Sequence, residues 1–131
     1  MKIRCLTLGY SLVELMIVVI IIGILSIMGY PLYADYMTQS ARTEAITALT
    51  HLTNLQEQFY FDNREYATDL TDLGVNADPY ITDKGFYSIS STGTTDFTMV
   101  ATAQGIQASR DSDCGEITIT YEGSRTPVGC W

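Results

Sequence analysis

Apolar and polar positions divide the chain into segments of different periodicity. From Leu12 to Tyr30 nearly every side chain is apolar, and the run contains a single acid, Glu14. An apolar helix of about 20 residues, rising about 1.5 Å per residue, spans the hydrocarbon core of a bilayer. The pattern therefore predicts a membrane-spanning helix over residues 10–31. An ionised carboxylate deep in that core costs about 2.5–3.5 kcal/mol, so Glu14 either has a partner or lies at the headgroup level.

Residues 32–62 form a second pattern, with apolar side chains on one stripe. Neither proline nor glycine occurs between Leu32 and Asp62. This pattern predicts that the same helix continues as an amphipathic half. A coiled-coil seam would show a similar stripe, but its alanines favour close packing against a flat surface, which the downstream strands supply. The stripe consists of Ala41, Ala45, Ala48, Leu52, Leu55 and Phe59.

The last third of the chain has the two-residue alternation of β-strands. Residues 63–85 are a polar connection, with one helical turn that Thr68 or Asp69 caps and Gly74 ends. Residues 86–131 contain three alternating runs separated by glycines, at positions 86–91, 97–103 and 116–121. The predicted fold class is α+β, with a long N-terminal helix packed against an antiparallel sheet of three or four strands.

Glycine and proline interrupt the apolar helix. Glycine lowers helix stability by about 1 kcal/mol relative to alanine, and proline removes a hydrogen bond. The segment from Gly23 to Pro31 is therefore predicted to be a weak point, at the least a kink at Pro31.

The charge balance is strongly acidic, with 15 acidic residues, seven basic residues and a formal net charge of −8. Nucleic-acid binders contact phosphates with Lys and Arg, so we expect no nucleic-acid partner. Solubility and mutual repulsion account for the acidity.

The first nine residues have the composition of a leader. They include Lys2 and Arg4 and end at Gly9. A secretory signal is cut after its apolar run, whereas here the small residue precedes the run. Cleavage at Gly9 would therefore keep the apolar helix as the new N-terminus.

Three cysteines are present. Cys5 lies in the leader, so Cys114 and Cys130 remain. An even number in an exported domain predicts one disulfide. It would close a loop of about 15 residues and stabilise by about 3 kcal/mol in the chain-entropy picture.

The N-terminal motif resembles that of the type IV pilin family. The matching residues are Gly9, Tyr10, Ser11, Leu12, Val13, Glu14 and Leu15, followed by the apolar run and Pro31. Tyr10 departs from the usual phenylalanine, and both side chains are aromatic. A weaker similarity, covering part of the last third, is to the head of PilE-like minor pilins. Its residues are Gly105, Gln107, Asp111, Cys114 and Gly115.

This resemblance implies how the chain is processed and assembled. In the family a prepilin peptidase cuts after the glycine, here Gly9, and the exposed amine of Tyr10 is methylated. That amine then pairs with Glu14 of an adjacent subunit and sets the register of the filament. The segment from Gly23 to Pro31 would lose helicity in the polymer.

The resemblance also implies the partners and the location. The partners are other pilin subunits, the peptidase, the membrane and the inner-membrane assembly machinery. The precursor would lie in the inner membrane of a Gram-negative bacterium and the mature subunit in an extracellular pilus. The role would be that of a minor pilin in pilus assembly, adhesion or twitching motility.

Two other functions use the same architecture. A DNA-uptake competence pilin would need the scattered basic residues of the mature chain to cluster in space. These are Arg42, Arg64, Lys84, Arg110 and Arg125. A type II secretion pseudopilin would form a short periplasmic fibre, and the disulfide favours the pilus by resemblance.

No catalytic motif occurs in the chain, and we predict neither an enzyme nor a cofactor. His51 is the sole histidine and is expected at the surface or at the edge of the core. Asp111 and Asp113 alternate as calcium ligands can, and related pseudopilins bind calcium near their C-termini. The full acidic loop pattern is absent, so no metal site is predicted.

Overall fold

The structure is a computed structural model that describes residues 9–131. The predicted leader therefore lies outside the described residues, apart from Gly9. The chain divides into two compact units, one ending at Tyr36 and the other comprising Met37–Trp131, the head. One helix, α1 (Leu12–Asn63, 52 residues), contributes to both.

Helix α1 begins and ends within two residues of the predicted limits. Pro31 lies inside it. In the head, the buried positions on α1 follow each other at spacings of four and three residues, as a helix face requires. They are Ala41, Ala45, Leu49, Leu52 and Gln56. The predicted stripe is thus shifted, since Ala48, Leu55 and Phe59 are only partly buried.

The sheet is an antiparallel meander of five strands in sequence order. Alternate side chains of its three long strands face the core and are fully or nearly fully buried, among them Tyr87, Ile89, Met99, Ala101, Ile117 and Ile119. The strands are β1 (Tyr80–Ile81), β2 (Tyr87–Thr92), β3 (Thr98–Ala103), β4 (Glu116–Thr120) and β5 (Arg125–Thr126).

The predicted count of three or four strands was too low. Strands β1 and β5 contain two residues each, which is too short to produce a recognisable alternation. Strand β1 lies inside the segment predicted as a plain connection, and Tyr80 pairs with Ile89 of β2. This edge pairing depends on a partner nine positions away in the sequence, which local patterning does not reveal.

Smaller elements connect the helix and the strands. The predicted helical turn is confirmed as a 3-10 turn over Leu70–Leu73. The Asp69 carboxylate caps it by accepting from the Thr71 N–H, and Gly74 ends it with φ +85°. A short helix, α2 (Ile106–Arg110), joins β3 to β4 and was not predicted.

The predicted disulfide between Cys114 and Cys130 is present, with their Cα atoms 5.7 Å apart. Both cysteines are buried in the core. Since Cys130 is the penultimate residue, the bond fastens the end of the chain to the start of β4.

The turn between β2 and β3 requires glycine at one position. Gly93 has φ +94°, and a Cβ there would lie 1.9 Å from the carbonyl oxygen of Asp96. Gly74 also has positive φ, but a Cβ there would meet nothing within 4 Å. Alanine at Gly74 would therefore add backbone strain alone, whereas alanine at Gly93 would add backbone strain and a steric clash.

Gly93→Ala is expected to destabilise the head by more than Gly74→Ala. Left-handed backbone costs an alanine about 1–2 kcal/mol, and only Gly93 adds a backbone collision. Thermal denaturation of the two variants in detergent, followed by circular dichroism, measures the difference. Equal losses would show that the turn relaxes without cost.

Candidate functional site

The apolar half of α1 is uncovered by the rest of the described chain. Its large apolar side chains from Leu12 to Leu32 are 42–77% exposed, with Val18 the least and Ile27 the most. By length and composition the helix can cross a membrane. Burying one such side chain contributes about 1.5–3 kcal/mol. A surface of this size therefore needs cover from lipid or from other protein chains.

Glu14 is the one acid in this surface. It lies in the first turn of α1 and is exposed. Among residues 9–131 no hydrogen bond or ion pair holds its carboxylate. A negative charge in the first helical turn interacts favourably with the helix dipole, by about 0.3–1 kcal/mol. The acid is thus compatible with its helix and available to a group from outside the chain.

Tyr10 precedes the helix and is 76% exposed. It lies four residues before Glu14. The backbone of Leu15 donates to the Ser11 carbonyl at 3.2 Å, so the first helical bond forms one residue after Tyr10. The structure therefore places Gly9 and Tyr10 in accessible backbone next to the acid.

Within residues 9–131, three glycines of this segment have no neighbour that a larger side chain would disturb. A Cβ at Gly9, Gly23 or Gly29 would meet nothing within 4 Å. Glycine inside a helix costs about 1 kcal/mol relative to alanine, and no contact of the described chain offsets that cost.

In the head, a buried ion pair joins α1 to the loop that follows α2. Arg42 donates to Asp111 from Nε at 3.0 Å and from Nη2 at 2.5 Å. The Asp111 side chain is 6% exposed and that of Arg42 25%. A two-pronged contact of this kind is directional and strong. It fixes the chain before Cys114 against the first turns of the head helix.

Two further side chains surround this pair. The Gln107 amide donates to Asp111 at 3.3 Å and to the Thr38 carbonyl at 3.2 Å. The Tyr87 hydroxyl lies 3.5 Å from the Asp111 carboxylate. Burial raises the pKa of Tyr87, and the hydrogen bond to Asp111 raises the pKa of Arg42. Arg42 therefore stays charged, and Tyr87 stays neutral well into the alkaline range.

The Asp111 carboxylate is thus occupied by protein donors on both oxygens, while Asp113 is exposed. Within residues 9–131 no three His, Cys, Asp or Glu side chains group as metal ligands. His51 is exposed on α1, as predicted.

Three of the five basic side chains in the head contact other residues of the head. Lys84 contacts Ser40 at 3.1 Å and Glu44 at 3.8 Å, and Arg42 is paired as described. The Arg125 guanidinium lies 4.9 Å from the centre of the Trp131 ring. Arg64 and Arg110 are exposed. Most of the positive charge of the head is therefore engaged in contacts within the head.

Sequence reasoning missed Gln56, which is fully buried in the core. Its amide donates to the Ala67 carbonyl at 2.6 Å and to Ser91 at 3.0 Å, and it accepts from the Ala67 N–H at 2.8 Å. Its place in the helical spacing, seven residues after Leu49, was the available signal. It fastens the connection after α1 to both the helix and β2.

Comparison with known proteins assigns both parts of the chain. Residues 7–30 match the prokaryotic N-terminal methylation motif. Residues 31–118, about two-thirds of the chain, match the family described as "Type IV minor pilin ComP, DNA uptake sequence receptor". The chain belongs to this type IV minor pilin family. As a type IV minor pilin, it assembles with other pilins in a pilus.

The fold has a solved counterpart. The high-resolution structure of a type IV pilin from Shewanella oneidensis matches with a TM-score of 0.56 at 22% sequence identity. The match covers 72% of this chain and 97% of that one. No curated protein matched.

Membership of the family bears on the uncovered helix. The methylation motif covers residues 7–30 and therefore contains the whole apolar run from Leu12 to Tyr30. The motif and the helix fit a precursor held in a membrane and then a subunit of the pilus.

The buried ion pair of the minor pilin head gives a prediction about stability. Asp111→Ala leaves Arg42 without its acid and is expected to destabilise the head by about 3 kcal/mol. Replacing both with apolar residues (Arg42→Met with Asp111→Leu) is expected to cost less than the single change. Denaturant titration of the three proteins in detergent measures this. A double variant that is less stable than Asp111→Ala would contradict the view that the unpaired charge of Arg42 causes the loss of stability.

Tyr87 gives an alkaline prediction. Its pKa in the folded head exceeds the ordinary value near 10, so the unfolded chain releases the proton first. The stabilisation is complete below pH 10 and is lost as the pH rises through the folded value. Tyr87→Phe is therefore expected to flatten the fall in stability above pH 10. If the stability of Tyr87→Phe falls as steeply above pH 10 as that of the parent, Tyr87 is not the group that causes the fall.

Proposed function

We propose that this minor pilin is cut after Gly9, methylated on Tyr10 and built into a pilus through the apolar half of α1. The observation that carries the proposal is the fully uncovered apolar surface with a single acid near its start. In the fibre the surface is covered by the equivalent helices of other subunits. The amine of Tyr10 from one subunit pairs with Glu14 of the next.

Electrostatics support this pairing. Both groups lie at an apolar surface, where an unpaired charge is expensive and an opposite charge is strongly attracted. Cleavage creates the amine, so the pair forms only after processing. The pairing fixes the axial position of each entering subunit, because a register shift leaves two unpaired charges in the fibre interior.

The proposed setting is the inner membrane of a Gram-negative bacterium, then the extracellular pilus. The peptidase and the inner-membrane assembly machinery are the transient partners, and adhesion or twitching motility is the output. Gly23 and Pro31 provide a helix segment that can lose hydrogen bonds in the fibre. The role is structural, without a catalytic step.

A second candidate function is suggested by the description of the matching family as a DNA uptake sequence receptor. The exposed Arg64 and Arg110 favour it. The overall charge opposes it. Without Lys2 and Arg4, five of the seven basic residues remain against 15 acids. A surface of that sign repels phosphates, so we propose that DNA is not the ligand of this subunit.

Glu14→Ala is expected to lower incorporation into sheared fibres by at least about tenfold while the protein still accumulates in the membrane, because the amine of the next subunit loses its partner. Quantitative blotting of fibre and membrane fractions measures the ratio. Asp35→Ala removes an exposed acid from the same helix and serves as the control. Equal incorporation of Glu14→Ala and Asp35→Ala would contradict the pairing.

Full-length processed protein in detergent is expected to give no gel shift with double-stranded DNA at low salt. The test uses fragments of varied sequence, with a basic DNA-binding protein as the positive control. Low salt favours any binding through phosphates. A shift that persists at physiological salt and depends on sequence would establish the DNA-receptor function instead.

A further inference from the structure

One end of the head lies next to the residues at which the chain enters it. Helix α2 contacts this entry, because the Gln107 amide donates to the Thr38 carbonyl at 3.2 Å. The loop between β1 and β2 contacts it as well, since Lys84 Nζ donates to the Ser40 hydroxyl at 3.1 Å. Eight residues of chain lead from Tyr30 to Thr38 and reach at most about 29 Å. When the apolar run lies in a bilayer, this end of the head therefore stays close to the lipid headgroups, whatever the angle of the head.

Four side chains form the surface of this end, and we call them the base: Lys84, Phe86, Ile106 and Arg110. Ile106 is 52% exposed, Arg110 is exposed and Phe86 is partly exposed. Phe86 lies next to α2, because its carbonyl accepts from the Gln104 N–H at 2.8 Å. Apolar side chains beside Lys and Arg are the composition with which protein surfaces bind at the boundary of headgroups and acyl chains. The base therefore has the chemistry of a membrane-surface contact.

The base offers an accessible cation beside acids that are already paired. Arg110 ends α2 and is exposed, so its guanidinium can bind two oxygens of a phosphate. The exposed acids nearest to the base in the sequence are Asp83 and Asp113. Two ion pairs neutralise further acids at this end, and they join Arg42 to Asp111 and Lys84 to Glu44.

The opposite end of the head is acidic and unsuited to a surface of phosphates. Within the head, α1 runs from Thr38 to Asn63, a rise of about 38 Å over 25 residues. Tyr66 joins the segments at that far end, since its hydroxyl donates to Glu57 at 3.3 Å and its N–H to the Thr94 carbonyl at 2.8 Å. These segments contain five acids and one cation: Glu57, Asp62, Glu65, Asp96, Glu122 and Arg64. The distribution of charge therefore favours the base as the end that meets lipid.

We propose that the base lies on the phospholipid bilayer while the subunit is held in the membrane. Ile106 and Phe86 enter the boundary between headgroups and acyl chains, and Arg110 and Lys84 bind headgroup phosphates. The inference rests on the proposed function, because it applies to the membrane-held state that precedes the fibre. Entry into the fibre then breaks this contact in addition to the contact of α1 with lipid.

The first experiment measures which end of the head meets the headgroups. The full chain is placed in vesicles of phosphatidylethanolamine and phosphatidylglycerol that include a lipid with a nitroxide on its headgroup. A fluorescent amino acid is incorporated at position 106, or at position 61 as the control, since Phe61 is also exposed but lies at the far end. Quenching at position 106 is expected to exceed that at position 61 by at least about threefold. Equal quenching at the two positions would overturn the inference.

The second experiment reverses one charge of the base. Arg110→Glu is expected to lower the quenching of the probe at position 106 by at least about half, because a carboxylate is repelled by the phosphates. Arg64→Glu makes the same change at the far end and is expected to leave that quenching unaltered. Unaltered quenching in Arg110→Glu would count against the base as the contact.

Flotation of the same vesicles separates this inference from the proposed function. A chain that floats with the vesicles but shows equal quenching at positions 106 and 61 contradicts only the contact of the base. A chain that does not float contradicts the membrane-held precursor and this inference with it.

Discussion

The structure depends on one constraint, which is that half of its longest helix has no cover of its own. From Leu12 to Leu32 the large apolar side chains stand exposed, although the hydrophobic effect would remove such surfaces from water. A lipid bilayer satisfies that requirement, and so does a bundle of like helices. In the proposed assembly, the exchange of one cover for the other lets a membrane-held subunit become part of a fibre. In the proposed assembly the acid at the start of the helix makes the exchange selective, because it pairs with the Tyr10 amine of another subunit.

The head, in contrast, faces water and must be stable with only a small hydrophobic core. The sheet covers one stripe of α1, and a few long-range bonds hold the loops to it. Gln56 fastens the connection after the helix, Arg42 and Asp111 fasten the region around α2, and the disulfide fastens the end of the chain. Each of these joins segments far apart in sequence. Together they stabilise a head whose outer surfaces are free to meet neighbours.

Local patterns in the sequence predicted much of this architecture. The apolar run, the amphipathic stripe and the alternation in β2, β3 and β4 are repeated signals that burial on one face produces. Asp69 and Gly74 predicted a capped turn correctly, because capping depends only on residues within that turn. The two-residue strands were missed because they are too short to show alternation, and the five-residue α2 was missed as well. Gln56 and the Arg42–Asp111 pair were missed because their partners lie 11 and 69 residues away. Calcium binding at Asp111 is disfavoured because Arg42 donates to both oxygens of its carboxylate. Arg42 lies 69 residues earlier, so local sequence did not reveal this contact.

The proposed assembly site rests on its motif rather than on geometry. Gly9, Tyr10 and Glu14 have few contacts within the described chain, so the structure of one subunit adds only that they are accessible. Their proposed partners belong to other molecules.

The central claim is that processing creates the group that Glu14 needs. Intact-mass and N-terminal peptide spectrometry of this chain, taken from sheared fibres and from membranes, tests it most directly. The account predicts that the fibre-bound form begins at an N-methylated Tyr10. Fibre-bound protein that still begins at Met1 would contradict it.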